Sequence, residues 1–162
     1  ILSCWKDAVA SGGKDAWKKH ALEFLRASNY AGIAFGHAGC AAVHAMAYPL
    51  GGVHHIPHGQ ANQLMFADVM RKYQEKKPIG KLNQLEELLS AELDVEPVFA
   101  LENLYELMDE VLKKDPLHEH GVTADELPVF AKNVIGTQQR LLGNNYVELT
   151  EDDLLDIYRK AF

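Results

Sequence analysis

The sequence has little cysteine and no clustered positive charge, and both absences exclude classes of protein. Cys4 and Cys40 are its only cysteines, too few for a disulfide framework, and we interpret them as free thiols of a reducing cytoplasm. The formal net charge is −7, and the acidic residues are spread along the chain. Without a basic patch we expect no nucleic-acid partner.

Long apolar runs are also missing. The longest weakly polar stretch, residues 30–56, is rich in Gly, Ala and His and lacks the Leu, Ile and Phe content of a membrane span. The first residues, 1–5, carry no basic segment, no cleavage signal and no starting Met. We therefore expect a cytoplasmic protein without a membrane partner. We also expect that the sequence begins inside a longer protein.

What the sequence does contain is helical periodicity. Apolar residues recur about every 3.6 positions, no alternating β pattern is present, and 162 residues suffice for one domain over residues 1–162. We predict an all-α bundle of about eight helices. Their expected positions are 1–10 (stopped by Gly12-Gly13), 15–28, 38–48 (closed by Pro49 and Gly51-Gly52), 58–74, 80–92, 97–113, 123–142 and 150–162.

The histidines are clustered. Five of eight lie between residues 37 and 58. His37, His44 and Tyr48 would share one face if their helix were continuous. Small residues surround them, which is typical of a helix in the middle of a bundle, so we expect the 38–48 helix to be the most buried element. His20, His118 and His120 are expected to be solvated and are assigned no role.

His58 follows Pro57 at an expected helix start. The positive end of the helix dipole there disfavours imidazolium, and a metal needs a neutral imidazole. His44 and His58 could therefore converge on one cation. Their fourteen-residue spacing is not diagnostic, and a buried His is more often a hydrogen-bonded core residue. From the residues alone the core role is favoured over metal binding. No His-Asp doublet or carboxylate cluster supports a metal-dependent hydrolase.

A longer pattern changes this balance. It comprises A-G, F-x-x-A-G, H-A-x-x-x-x-L-G-G and P-H-G-x-x-N, carried by the stretches Ala31–Gly52 and His54–Asn62. It resembles the signature of iron-containing (group III) alcohol dehydrogenases, and the ending Leu149–Tyr158 is similar to the last helix of that family. The resemblance runs along essentially the whole chain.

The resemblance implies a two-domain enzyme of which this chain is the C-terminal helical domain. A divalent metal, Fe(II) first and Zn(II) second, would be held by one Asp and three His, the last two being His44 and His58 here. The Asp, the first His and the NAD(H)-binding domain would lie upstream, since the chain has no Gly-rich dinucleotide loop. We expect this chain alone to be inactive. Many members carry a further His where Tyr48 stands. A tyrosine hydroxyl ionises far above neutral pH, so proton transfer is expected to use another group.

Within the family, two segments, Val53–Gly59 and Leu142–Thr150, resemble the sequences of one branch. That branch oxidises 4-hydroxybutyrate to succinate semialdehyde by reversible hydride transfer to NAD. His37, His54 or His55 would then donate to the substrate carboxylate. A homo-oligomer is also expected. The alternative is a non-catalytic helical binding or assembly module that retains the family's sequence.

Overall fold

The structure, a computed structural model, describes residues 1–12 and 15–162 and is helical throughout. The helices are α1 (Leu2–Ser11), α2 (Ala21–Ala38), α3 (Ala42–His54), α4 (His58–Lys76), α5 (Lys81–Leu93), α6 (Pro97–Val111), α7 (Glu126–Thr137), α8 (Gln139–Leu142) and α9 (Glu151–Ala161). Two 3-10 helices, Ala16–His20 and Leu117–His120, complete the set. No strand occurs in this part of the chain, which confirms the all-α prediction. The predicted stop at Gly13 lies outside the described residues.

Among the same residues, no helix combines the length and the apolar character that crossing a membrane requires. The residues divide into two compact units. The first consists of Ile1–Ala38 and Ile79–Lys113, and its main packing is between α5 and α6, with α1 against both. Its buried side chains include Leu82, Leu89, Leu101 and Leu104.

The second unit consists of Gly39–Pro78 and Lys114–Phe162 and contains both candidate ligands. In it α3 packs on α4, α7 packs on α9, and α4 packs on α9. Tyr158 of α9 is fully buried, and its hydroxyl donates to the Met46 carbonyl oxygen of α3 at 2.8 Å. This bond ties the last helix to the helix that carries His44.

Two expectations about α3 are wrong. The helix continues through Pro49 to His54, although proline removes one backbone donor, because the following Leu50 is completely buried against the core. It is also not the most buried element of the described chain. That element is α4, which buries nine residues against five for α3, because α4 contacts both α3 and α9.

Capping residues predicted the start of α9 correctly and the start of α7 only approximately. Thr150 and Asp153 form the predicted capping box, in which the Thr150 hydroxyl accepts from the Asp153 N–H at 3.2 Å and the Asp153 carboxylate accepts from the Thr150 N–H at 2.9 Å. The Thr123 N–H donates to Glu126 at 2.8 Å, yet α7 begins only at Glu126. The predicted helix over 123–142 is divided at Gln138 into α7 and α8.

Candidate metal centre

His44 and His58 lie side by side in the second unit. Their ring centroids are 5.0 Å apart, and the ring planes are inclined by 48°. His44 lies in the first turn of α3 and is half-buried, whereas His58 is the first residue of α4 and is exposed. The packing of α3 on α4 therefore brings together two imidazoles that are fourteen residues apart in sequence.

The environment of His44 disfavours its charged form. Burial lowers the pKa of His44 below its usual value, and the neighbouring His58 lowers it further. A neutral imidazole keeps a lone pair on one ring nitrogen, and that lone pair is what a metal ion requires.

Tyr48 flanks the pair. It lies one helical turn after His44, and its ring is nearly parallel to that of His58, with centroids 6.3 Å apart and planes inclined by 27°. Its side chain is 43% exposed. Tyr48 is thus adjacent to the candidate ligands.

A loop distant in sequence holds the start of α3. The side-chain oxygen Oδ1 of Asn145 accepts from the Ala42 N–H and from the Tyr73 hydroxyl, each at 2.8 Å. The neighbouring Asn144 donates through Nδ2 to the Cys40 carbonyl at 2.9 Å. Because Ala42 is two residues before His44, these bonds position the candidate ligand.

The backbone between Ala38 and Ala42 corrects the expected single face. Gly39 has φ 78°, and a Cβ there would lie 2.5 Å from Asn144 Nδ2, so the position requires glycine. The helix is therefore interrupted, and His37 does not continue the face of His44 and Tyr48. His37 lies exposed in the last turn of α2, in the first unit.

The other two histidines proposed for substrate are near the end of α3. His54 is half-buried, with Nε2 3.2 Å from Glu126 Oε1 and its ring edge-to-face with Phe130. His55 is exposed and caps α3 in a left-handed conformation with φ 55°.

The three histidines expected to be solvated have neighbours that the sequence did not indicate. His20 Nε2 lies 2.6 Å from Asp7 Oδ2, within the first unit. His118 Nδ1 is hydrogen-bonded to the Phe162 carbonyl oxygen. His120 Nε2 is buried and has no hydrogen-bond partner.

Sequence reasoning assigned no role to Asn62, although Asn62 ends the P-H-G-x-x-N pattern. Its Nδ2 lies 3.0 Å from His58 Nε2. The available signal was spacing, because residues four apart on a helix lie on one face. In residues 1–12 and 15–162 no group of three or more His, Cys, Asp or Glu side chains is arranged to hold a metal, so His44 and His58 would form part of a ligand set.

Comparison with known proteins identifies the family. Residues 4–162 match the model of the Fe-containing alcohol dehydrogenase family, C-terminal. The chain belongs to the iron-containing alcohol dehydrogenases. It is 44% identical over 140 residues to 4-hydroxybutyrate dehydrogenase of Clostridium kluyveri, covering 86% of this chain and 38% of that protein. It is 34% identical over 161 residues to long-chain-alcohol dehydrogenase 1 of Geobacillus thermodenitrificans, covering 97% of this chain and 40% of that protein.

Solved structures agree on the fold. An archaeal halo-thermophilic alcohol dehydrogenase from a Red Sea brine pool superposes with a TM-score of 0.71 at 24% identity, over 99% of this chain and 44% of that one. A 1,3-propanediol oxidoreductase superposes with a TM-score of 0.61 at 25% identity, over 75% of this chain and 32% of that one. The chain therefore has the helical fold of the C-terminal part of these dehydrogenases and spans about two fifths of the curated relatives' length.

Proposed function

We propose that this chain is the metal-binding C-terminal part of an NAD-dependent dehydrogenase that interconverts 4-hydroxybutyrate and succinate semialdehyde, with His44 and His58 as two of the metal ligands. The single observation that carries the proposal is the juxtaposition of the two imidazoles, whose ring centroids are 5.0 Å apart, in a chain whose residues 4–162 match the family. The similarity to the Clostridium kluyveri 4-hydroxybutyrate dehydrogenase supports the choice of substrate.

The residues fit a divalent cation such as Fe(II) or Zn(II). Both metals accept imidazole nitrogen, and the lowered pKa of His44 keeps its ring neutral. When bound, such a cation supplies Lewis-acid chemistry toward the oxygen of an alcohol or aldehyde, and NAD(H) supplies the hydride chemistry. His44 and His58 would hold the cation, and the upstream Asp, His and nucleotide-binding domain would complete the enzyme.

The other candidate site residues differ in their surroundings. His54 is a poor donor to a substrate carboxylate, because its Nε2 already faces the Glu126 carboxylate. His37 and His55 are exposed and remain candidate donors. The Tyr48 ring stacks beside His58 and is partly exposed, so its hydroxyl would be available to bond to substrate.

A non-catalytic helical module is the alternative. The partial ligand set of the described residues favours it for this chain in isolation. Metal binding distinguishes the two, because a module that merely retains the sequence has no need of two adjacent imidazoles.

The test uses the polypeptide as its gene encodes it, with any sequence that flanks these residues. Metal content by mass spectrometry and NADH formation from 4-hydroxybutyrate are measured for the wild type and for His44→Ala, His58→Ala and His118→Ala. His118 is the matched control, because its Nδ1 is hydrogen-bonded to the Phe162 carbonyl oxygen.

We expect His44→Ala and His58→Ala to lose metal and turnover together while the circular dichroism of the helices is unchanged. His118→Ala should keep both. Full metal content and full rate in His58→Ala would show that His58 is not a ligand. Metal binding with no oxidation of 4-hydroxybutyrate, but oxidation of another alcohol, would overturn only the substrate.

A further inference from the structure

A cavity of about 400 Å³ lies within the first unit, among α1, the 3-10 helix Ala16–His20, α2 and the end of α6. Three aromatic side chains, Trp5, Trp17 and Phe24, line it together with small and aliphatic residues. Sites for small organic molecules commonly have this volume and are mostly apolar, with a few polar groups that select the ligand. Trp17 is 53% exposed, so a molecule in solution can reach its ring.

One carboxylate gives this apolar cavity a charge. Among the described residues that line it, the single charged side chain is Glu110 of α6. Within the described part of the chain, no hydrogen bond or ion pair engages that carboxylate. Basic side chains of the 3-10 helix are engaged elsewhere, because Lys19 Nζ and His20 Nε2 lie 2.7 Å and 2.6 Å from Asp7 Oδ2. The cavity therefore combines three aromatic rings with one unpaired negative charge.

We propose that this cavity binds a small organic ammonium ion, whose apolar groups contact the aromatic rings and whose charge faces Glu110. The π faces of aromatic rings attract such cations, tryptophan most strongly, and the carboxylate adds a Coulomb attraction. An anion of the same size would be repelled by Glu110. The formal net charge of −7 favours cations in the same direction. The proposal does not depend on the metal role of His44 and His58.

Tryptophan fluorescence can follow binding, because Trp5 and Trp17 are the only tryptophans of these 162 residues and both line the cavity. The polypeptide as its gene encodes it is titrated with benzyltrimethylammonium and, for comparison, with phenylacetamide, a neutral molecule that also carries a phenyl ring. We expect a saturable change of fluorescence with the cation and weaker binding of the neutral amide. The double variant Trp5→Phe/Trp17→Phe should lose the response.

A pair of variants on one helix tests the charge. Glu110→Gln should bind benzyltrimethylammonium about 2–5-fold more weakly than the wild type and should distinguish less between the cation and the amide. Glu106→Gln removes a carboxylate one turn earlier on α6, outside the lining, and should bind as the wild type does. Thermal unfolding of each variant separates loss of the site from loss of the fold.

Three results would overturn the proposal. Equal affinity of the wild type for phenylacetamide and the cation, or full affinity in Glu110→Gln, would show that the carboxylate does not select a cation. A response that survives in the double tryptophan variant would place binding elsewhere. Absence of any response in the wild type would show that the cavity is filled or closed in the whole protein.

Discussion

Replacement of Asn145 by alanine is the perturbation whose cost the structure defines best. Asn145 Oδ1 is the acceptor for two buried donors, the Ala42 N–H at the start of α3 and the Tyr73 hydroxyl. Ala42 is 0% exposed and Tyr73 is 6% exposed, so water cannot easily replace the lost acceptor. Burial raises the pKa of Tyr73 to about 12, which keeps its hydroxyl a donor at any ordinary pH.

The expected cost follows from the two lost bonds. Loss of a helix N-cap costs about 1 kcal/mol. A buried hydroxyl left without a partner costs about 1–3 kcal/mol. Asn145→Ala should therefore lower the free energy of unfolding by about 2–4 kcal/mol, measured by urea unfolding followed by circular dichroism.

Three further variants locate the effect. Asn144→Ala removes exposed hydrogen bonds to the Cys40 and Arg140 carbonyl oxygens and should cost less than about 1 kcal/mol. Asn145→Asp keeps the acceptor and removes the amide Nδ2, which is buried without a partner, so it should stay close to the wild type. In a Tyr73→Phe background, where no hydroxyl is left unpartnered, Asn145→Ala should cost only about 1 kcal/mol, the part that belongs to the start of α3. Equal costs for Asn144→Ala and Asn145→Ala would refute the reasoning.

Three other outcomes are expected. Tyr158→Phe leaves the Met46 carbonyl without its buried donor and should cost about 1–2 kcal/mol in urea unfolding, and no change would mean that the bond contributes nothing. The folded-state pKa of His44 lies below 6.5, so as pH falls the unfolded chain binds the proton first. In the metal-free chain the contribution of neutral His44 to stability should be fully present above pH 6.5 and decline as pH falls toward the folded-state pKa. Thermal melts should show a weaker decline for His44→Gln than for the wild type. Asp156→Asn removes one carboxylate from the buried ammonium of Lys72. Because water screens the exposed carboxylate, the free energy of unfolding should fall by at most about 1 kcal/mol, seen as a slightly lower melting temperature. A larger loss would show that the pair is not screened.

Local signals predicted much of this molecule. The Thr150–Asp153 capping box and the starts of α4 and α6 after Pro57 and at Pro97 follow from side chains within a few residues. These features depend on contacts inside one helical turn, which the order of residues already contains. The family, and with it His44 and His58 as candidate ligands, was readable because the motif covers about thirty contiguous residues.

Tertiary structure decided what depends on contacts distant in sequence. Pro49 looked like the end of a helix, and only the burial of Leu50 shows why α3 continues. Ala42 and Asn145 are 103 residues apart, and no local pattern in Gly143-Asn144-Asn145 distinguishes a surface loop from the cap of another helix. The proximity of His44 and His58 likewise arises from the packing of α3 on α4, because a fourteen-residue spacing across a helix break defines no common face. Sequence alone determined which residues prefer helix and which histidines are candidate metal ligands, whereas packing free energy, summed over partners far along the chain, decided where those helices begin, end and meet.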